Sequence, residues 1–258
     1  FEEINVHPDN RTYRSIDGVL YSRNVTDLLL FPGSKDVSEY TVPRTVTYIV
    51  EYALSNCYNV ERFLVEDGNG IYFAKDGILY SEDTMIAYPL ARTGDIPELP
   101  EGITYMDSAI FAGSNIMNYD MPNGLDSVSA YMFQDSSIRT VTLGEDIVYL
   151  KHSMFQGCED LKTVRITAQS DYMVLEMDVF KGCKNVRLVS GIPGYYLAVY
   201  YDSEHTKAFD TSDEDFAGAV YLKWTEVPDD TVPMAIGFSI GAVLLIGMIV
   251  FMHIRGKN

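Results

Sequence analysis

Positive charge is scarce in this chain. Its 19 lysines and arginines stand against 37 aspartates and glutamates, leaving a formal net charge of −18 at pH 7. The summed field repels phosphate, which excludes nucleic acid as a partner and keeps the bulk of the molecule off anionic membranes. Cysteine is equally sparse. Cys57, Cys158 and Cys183 are odd in number and show no CxxC spacing, which argues against a disulfide framework and against a zinc site. The histidines His7, His152, His205 and His253 sit in unrelated contexts, none with a second His or Cys at ligand spacing. No GxSxG, HExxH, P-loop or GxGxxG is present. Acidic pairs can be drawn anywhere in so acidic a chain, so they carry no signal for glycoside hydrolysis. The run Asp210 to Asp215 is similar to a calcium loop, but Asp215 stands where that loop needs the Gly of its turn. These absences point to a protein that is not an enzyme and uses neither metal nor cofactor.

What the chain does have is repetition. Met154-Phe155-Gln156-Gly157-Cys158 through Ile166 comes round again as Val179-Phe180-Lys181-Gly182-Cys183 through Val189. Ile116, Ile138, Leu161 and Val186 begin equivalent strands, and Leu54, Phe111, Phe133, Phe155 and Phe180 share one upstream position. A period of 22 to 25 residues predicts stacked coils, each one strand and a return segment, because a single coil cannot bury its apolar face alone. Two longer units precede these. Phe1 to Ser22 aligns with Val60 to Ser81, including Asn10 with Asn69 and Asp17-Gly18-Val19-Leu20-Tyr21-Ser22 with Asp76-Gly77-Ile78-Leu79-Tyr80-Ser81. Pro32 then falls opposite Pro89, and Val42-Pro43 opposite Leu99-Pro100. Asp-Gly between short apolar runs predicts a tight hairpin inserted into each long unit.

The pattern Pro43-Arg44-Thr45-Val46…Ala53-Leu54…Cys57…Val60…Phe63…Val65, repeated at Phe155…Cys158…Leu161…Val164…Ile166, resembles the BspA-like (Treponema-type) leucine-rich repeat family. Ser114 and Ser136 depart from it near the cysteine position, in coils one residue shorter. The resemblance covers residues 1–209 and implies a leucine-rich-repeat solenoid of the α/β class, mainly β with short helical turns, that displays a curved surface for adhesion. Its partners would then be extracellular or host-surface proteins. Hairpin-bearing long repeats occupy 1–115 and short repeats 116–190. Residues 191–209, Gly191 to Tyr201 above all, are similar to the Gly turn and short Tyr/Ala helix that close such arrays. Residues 210–232 read as an acidic juxtamembrane segment and stalk, with Ala219 to Trp224 as a last strand.

In each strand the first, fourth and sixth positions should face the core, leaving the second, third and fifth outside. Those outward positions hold Glu2, Glu3 and Asn5, then Glu61, Arg62 and Leu64, then Met117, Asn118 and Asp120. They continue as Arg139, Thr140 and Thr142, as Lys162, Thr163 and Arg165, and as Arg187, Leu188 and Ser190. The face therefore runs from acidic to basic. Arg139, Lys162, Arg165 and Arg187 are the candidate ligand-binding residues, a basic patch suited to an anionic segment; solubility and cross-strand pairing are the plainer account. The three cysteines share one register, as core side chains do, and of the three only Cys158 and Cys183 stand in adjacent coils close enough to bridge.

The run Pro233 to Met252 is 20 residues without a charge, at ~1.5 Å per residue a bilayer span. It predicts one C-terminal transmembrane helix at 233–254 with a cytoplasmic tail at 255–258, because Arg255 and Lys257 follow it and favour the inner side. The N-terminal part then lies outside a single-pass membrane protein. Gly237 and Gly241 form a GxxxG through which two spans would pair as a weak homodimer. Val227 to Thr231 lacks the Thr-Gly junction of a sortase signal. Opening at Phe1 without a leader, the chain reads as a processed or truncated form with further repeats upstream. Asn10 and Asn24 open glycosylation sequons, which matter only in a eukaryotic source. A stalk for an enzyme domain lying upstream is the competing expectation.

Overall fold

The computed structural model describes residues 1–228. Each long unit carries an inserted hairpin whose turn is Asp-Gly. Strand β1 (Tyr13–Ile16) pairs antiparallel with β2 (Val19–Ser22), Ile16 opposite Val19. Between them Asp17 and Gly18 have φ of 48° and 77°, the two left-handed residues of a type I′ turn. β2 pairs antiparallel with β3 (Asp27–Leu30), and β3 pairs parallel with β5 (Tyr48–Ile49); β4 (Glu39–Val42) lies outside this sheet. After β6 (Arg62–Val65), the second unit repeats the arrangement. β7 (Phe73–Lys75), β8 (Ile78–Tyr80), β9 (Thr84–Ala87) and β10 (Tyr105–Met106) form one sheet, with Asp76 and Gly77 at φ 54° and 79°. Asn10 and Asn69 recur for a structural reason. Each side-chain oxygen accepts two backbone N–H groups at the hairpin entry, Thr12 and Tyr13 in one case and Ile71 and Tyr72 in the other.

The short coils build two sheets. One face is the parallel sheet of β11 (Asn118–Asp120), β12 (Thr140–Thr142), β14 (Thr163–Ile166) and β16 (Arg187–Ser190). Another holds β13 (Tyr149–Leu150), β15 (Tyr172–Leu175), β18 (Gly218–Glu226) and β17 (Tyr195–Tyr200). On the sheet that carries the candidate patch, inward positions such as Ile138, Val141 and Leu143, or Leu161, Val164 and Ile166, are buried as expected. β4 and β6 form a separate pair on this side of the molecule.

The expected short helical turns are not there: among the described residues every regular element is a strand. Tyr52, Ala109, Tyr131, Ser153 and Asp178, each two residues before the shared Leu or Phe, have positive φ. A left-handed residue ends any helical run and turns alternate N–H groups toward the next coil. Phe111, Phe133 and Phe155 donate to the carbonyls of Met132, Met154 and Val179 at 2.9 to 3.0 Å. The fold is therefore mainly β, not α/β. Inside, Phe111, Phe133, Phe155 and Phe180 stack with centroids 5.3, 5.5 and 5.7 Å apart.

Ser114, Ser136, Cys158 and Cys183 each follow their Phe by three residues and donate backbone N–H to its carbonyl. The serines thus occupy the cysteine position itself, and the shorter coils lose their residue just after it. All three cysteines are free thiols. Cys158 donates to the Phe133 carbonyl at 2.8 Å and Cys183 to the Phe155 carbonyl at 3.0 Å, one coil back in each case.

Both ends differ from expectation. Residues 1–12 form no strand and Phe1 is 68% exposed, although the Ile4 N–H still donates to Gly18 as Phe63 does to Gly77. The expected Tyr/Ala helix is strand β17, paired antiparallel with β18, which also pairs with β15. The alternation of burial along Leu197, Ala198 and Val199 suits a half-covered strand. β18 contains the last strand expected at Ala219 to Trp224 and runs on to Glu226, within the segment 210–232 expected as juxtamembrane segment and stalk. In the acidic loop, Glu214 accepts the Gly182 N–H at 3.0 Å and Thr211 donates to Val186 at 2.8 Å, replacing the backbone partners a further coil would supply. The expected membrane helix, Gly237 and Gly241 included, lies outside the described residues; among residues 1–228 no helix is long and apolar enough to cross a membrane.

Candidate ligand-binding face

Parallel pairing brings the basic residues together. Lys162 donates its backbone N–H to the Arg139 carbonyl, and Arg187 donates to that of Lys162, both at 2.9 Å. The three therefore stand in consecutive coils, with strands ~4.8 Å apart. Arg165 lies further along β14, opposite Thr142 on one side and Val189 on the other. All four side chains are exposed.

The last strand corrects one expectation. Thr163 pairs with Arg187 and Val164 with Leu188, so β16 sits one residue out of the expected register. Leu188 faces inward and packs against the core, and its outward place is taken by Val189. The preceding coil is the longest, at 25 residues, and the neighbouring ladder decides how its extra length is absorbed.

The electrostatics of these coils are divided by face. Away from the patch, Lys151 pairs with Glu176, Lys181 with Asp178 and Lys184 with Glu159, at 3.2, 3.3 and 2.9 Å. Arg139, Lys162, Arg165 and Arg187 make no ion pair among the described residues. At the other end of the molecule, Arg62 is neutralised by Glu39 at 2.6 Å. Burial pushes the thiols of Cys158 and Cys183 up to about 11 and about 12, and that of Cys57 higher still.

One feature beside this face has no counterpart in the expectations from sequence. A groove of about 1060 Å³ opens between residues 90–103 and the free edge of β11. Its sequence signal is Pro97, which stands where the first long unit has Tyr40.

The repeat-family comparison agrees with this architecture. The family model for the BspA type leucine rich repeat region matches in 6 copies, over residues 27–74 and 96–187. A leucine rich cell surface protein from Faecalibacterium prausnitzii is similar in fold, with a TM-score of 0.52 and 19% identity, covering 64% of this chain and 51% of its own. A leucine-rich repeat protein from Eubacterium ventriosum gives a TM-score of 0.48 and 22% identity, covering 64% and 55%. The chain thus spans about half the length of these solved structures. No curated protein matches it. With the repeat model covering more than half of its length, the chain belongs to the BspA-type leucine-rich repeat family.

Proposed function

We propose that the protein is a surface-displayed binding or adhesion protein, not an enzyme, and that its C-terminal coils capture an anionic segment of an extracellular partner. One observation carries this reading. Four cations are crowded on neighbouring strands without a carboxylate partner among residues 1–228, while the lysines elsewhere in the same coils are paired. Like charges side by side across a sheet repel one another, and carboxylates are abundant in this chain. An unneutralised row is unfavourable for the free protein and becomes favourable once an anion docks. The relative from Faecalibacterium prausnitzii is described as a cell surface protein. Display by insertion of 233–254 in the membrane belongs to the same proposal.

The test is solid-phase adhesion of the full chain to surfaces coated with extracellular-matrix proteins, at low and physiological salt. Replacing Arg139, Lys162, Arg165 and Arg187 by Glu should abolish binding. The wild-type signal should fall as salt rises, since exposed charges are screened over ~8 Å at physiological ionic strength. Adhesion that survives the four reversals and ignores salt removes the proposal.

A further inference from the structure

The parallel sheet stops at β11 for a chemical reason. β4 of the first long unit lies beside β6, with Arg62 donating to Ser38 at 3.1 Å and Glu66 donating to Val42 at 3.0 Å. The parallel register between those bonds sets the Tyr40 N–H on the Arg62 carbonyl. In the second long unit Pro97 occupies the place of Tyr40, because Leu99-Pro100 aligns with Val42-Pro43. Proline has no N–H to give. Residues 93–99 accordingly form no strand, although Ile96 and Leu99 still pack against the core.

Among the described residues the edge of β11 is left open. Met117 accepts from Thr140 at 3.2 Å and Met121 donates to Thr142 at 2.9 Å, so residues 117, 119 and 121 turn their backbone groups toward β12. By alternation, the N–H and C=O of Asn118 and Asp120 point the other way, into the groove of about 1060 Å³. Buried Leu90 and Tyr119 are part of its apolar lining. Its rim carries Asp95, Glu98, Glu101 and Asp120, all exposed. Arg92, the one cation on it among the described residues, is turned to the Asp76 carbonyl.

We propose that this edge receives a short extended segment of a partner protein that alternates apolar residues with Lys or Arg, added as a parallel or antiparallel strand beside β11. Backbone groups of Asn118 and Asp120 supply the ladder, the groove lining takes the apolar side chains, and the four carboxylates select the cations. The acidic rim argues against a second copy of this chain, which carries a net charge of −18. The site adjoins the basic patch, since the Arg139 N–H donates to Met117 at 2.7 Å, but it uses none of the patch's side chains.

The probe is a fluorescein-labelled peptide, acetyl-Lys-Val-Lys-Val-Lys-Val-amide, titrated into the full chain and read by anisotropy. Two analogues accompany it: one with Glu for Lys, and one N-methylated at every residue, which keeps the charge and removes the donors. Loss of edge hydrogen bonds should weaken affinity about tenfold, so Asn118→Pro should do so, while Asn118→Ala, which keeps the N–H, should bind as wild type. Proline is tolerated at an open edge, so N118P should keep the wild-type circular dichroism. If it does not fold, the double variant Asp95→Lys with Glu98→Lys decides the matter, and should lose the peptide. Equal binding of the N-methylated peptide, or full affinity in that double variant, overturns the proposal. So does a concentration-dependent dimer that N118P abolishes, since it assigns the edge to a second copy. Reversing Arg139, Lys162, Arg165 and Arg187 should not weaken peptide binding, although it should abolish adhesion through the basic patch, which keeps the two tests apart.

Discussion

Phe133 shows what a single residue does in this fold. It stacks on Phe111 at one side and Phe155 at the other, fully buried. No loop can collapse into the space it fills, because each coil is held by the ladders of its neighbours. Phe133→Ala should cost about 3–5 kcal/mol, read as a shift in urea midpoint at unchanged slope. The buried thiols and phenols make a second prediction. Burial raises Cys158 from 9.0 to about 11 and Cys183 to about 12, and raises the Tyr21 phenol from 10.0 to about 12. These groups are held neutral in the folded chain, so their contribution is complete below pH 9. Above it the unfolded chain ionises first, and stability should fall steadily between about pH 9 and 12. Denaturation at a series of alkaline pH values checks the sign; a rise in stability over that window contradicts it.

At the scale of elements, the inserted hairpins depend on the close approach of their turns to the neighbouring strand. A Cβ on Gly77 would lie 2.7 Å from the Cβ of Arg62, at φ +79°, whereas one on Gly68, at φ +88°, meets nothing within 4 Å. Gly68→Ala should therefore show only the backbone penalty, about 1–2 kcal/mol. Gly77→Ala should cost clearly more, because the whole hairpin must shift away from β6. Thermal unfolding of the two variants side by side separates strain from collision, and equal losses would refute the packing account. Gly18 repeats the situation with a 2.7 Å approach to the Glu3 Cβ.

The whole molecule is a stack, and a stack has ends that need covering. At the C-terminal end the cover is β18, whose buried Val220 and Leu222 belong to the main core, together with the acidic loop that caps Gly182 and Val186. A chain ending at residue 209 keeps every repeat and loses this strand. It should bind hydrophobic dye strongly and unfold at lower temperature than a chain ending at residue 228. Equal dye binding by the two would show that β18 is dispensable.

The repeat was legible in the sequence because coils that stack in register put the same constraint on the same position each time. Recurring Phe, Cys and inward aliphatic residues show this, as does Asp-Gly at each hairpin. The position of Arg139, Lys162, Arg165 and Arg187 on neighbouring strands followed from the same periodicity. Where a constraint comes from a neighbour instead of from the coil itself, the sequence was silent. Ladder pairing, not composition, decided that β16 slips by one residue and that Tyr195–Tyr200 extends as a strand. Left-handed residues as unlike as Tyr52, Ala109 and Ser153 gave no local warning that the return segments would not be helical. Pro97 stands in the sequence as an ordinary proline. Its meaning, a missing donor opposite Asn118 and an open sheet edge, exists only once β4, β6 and β11 stand in their places.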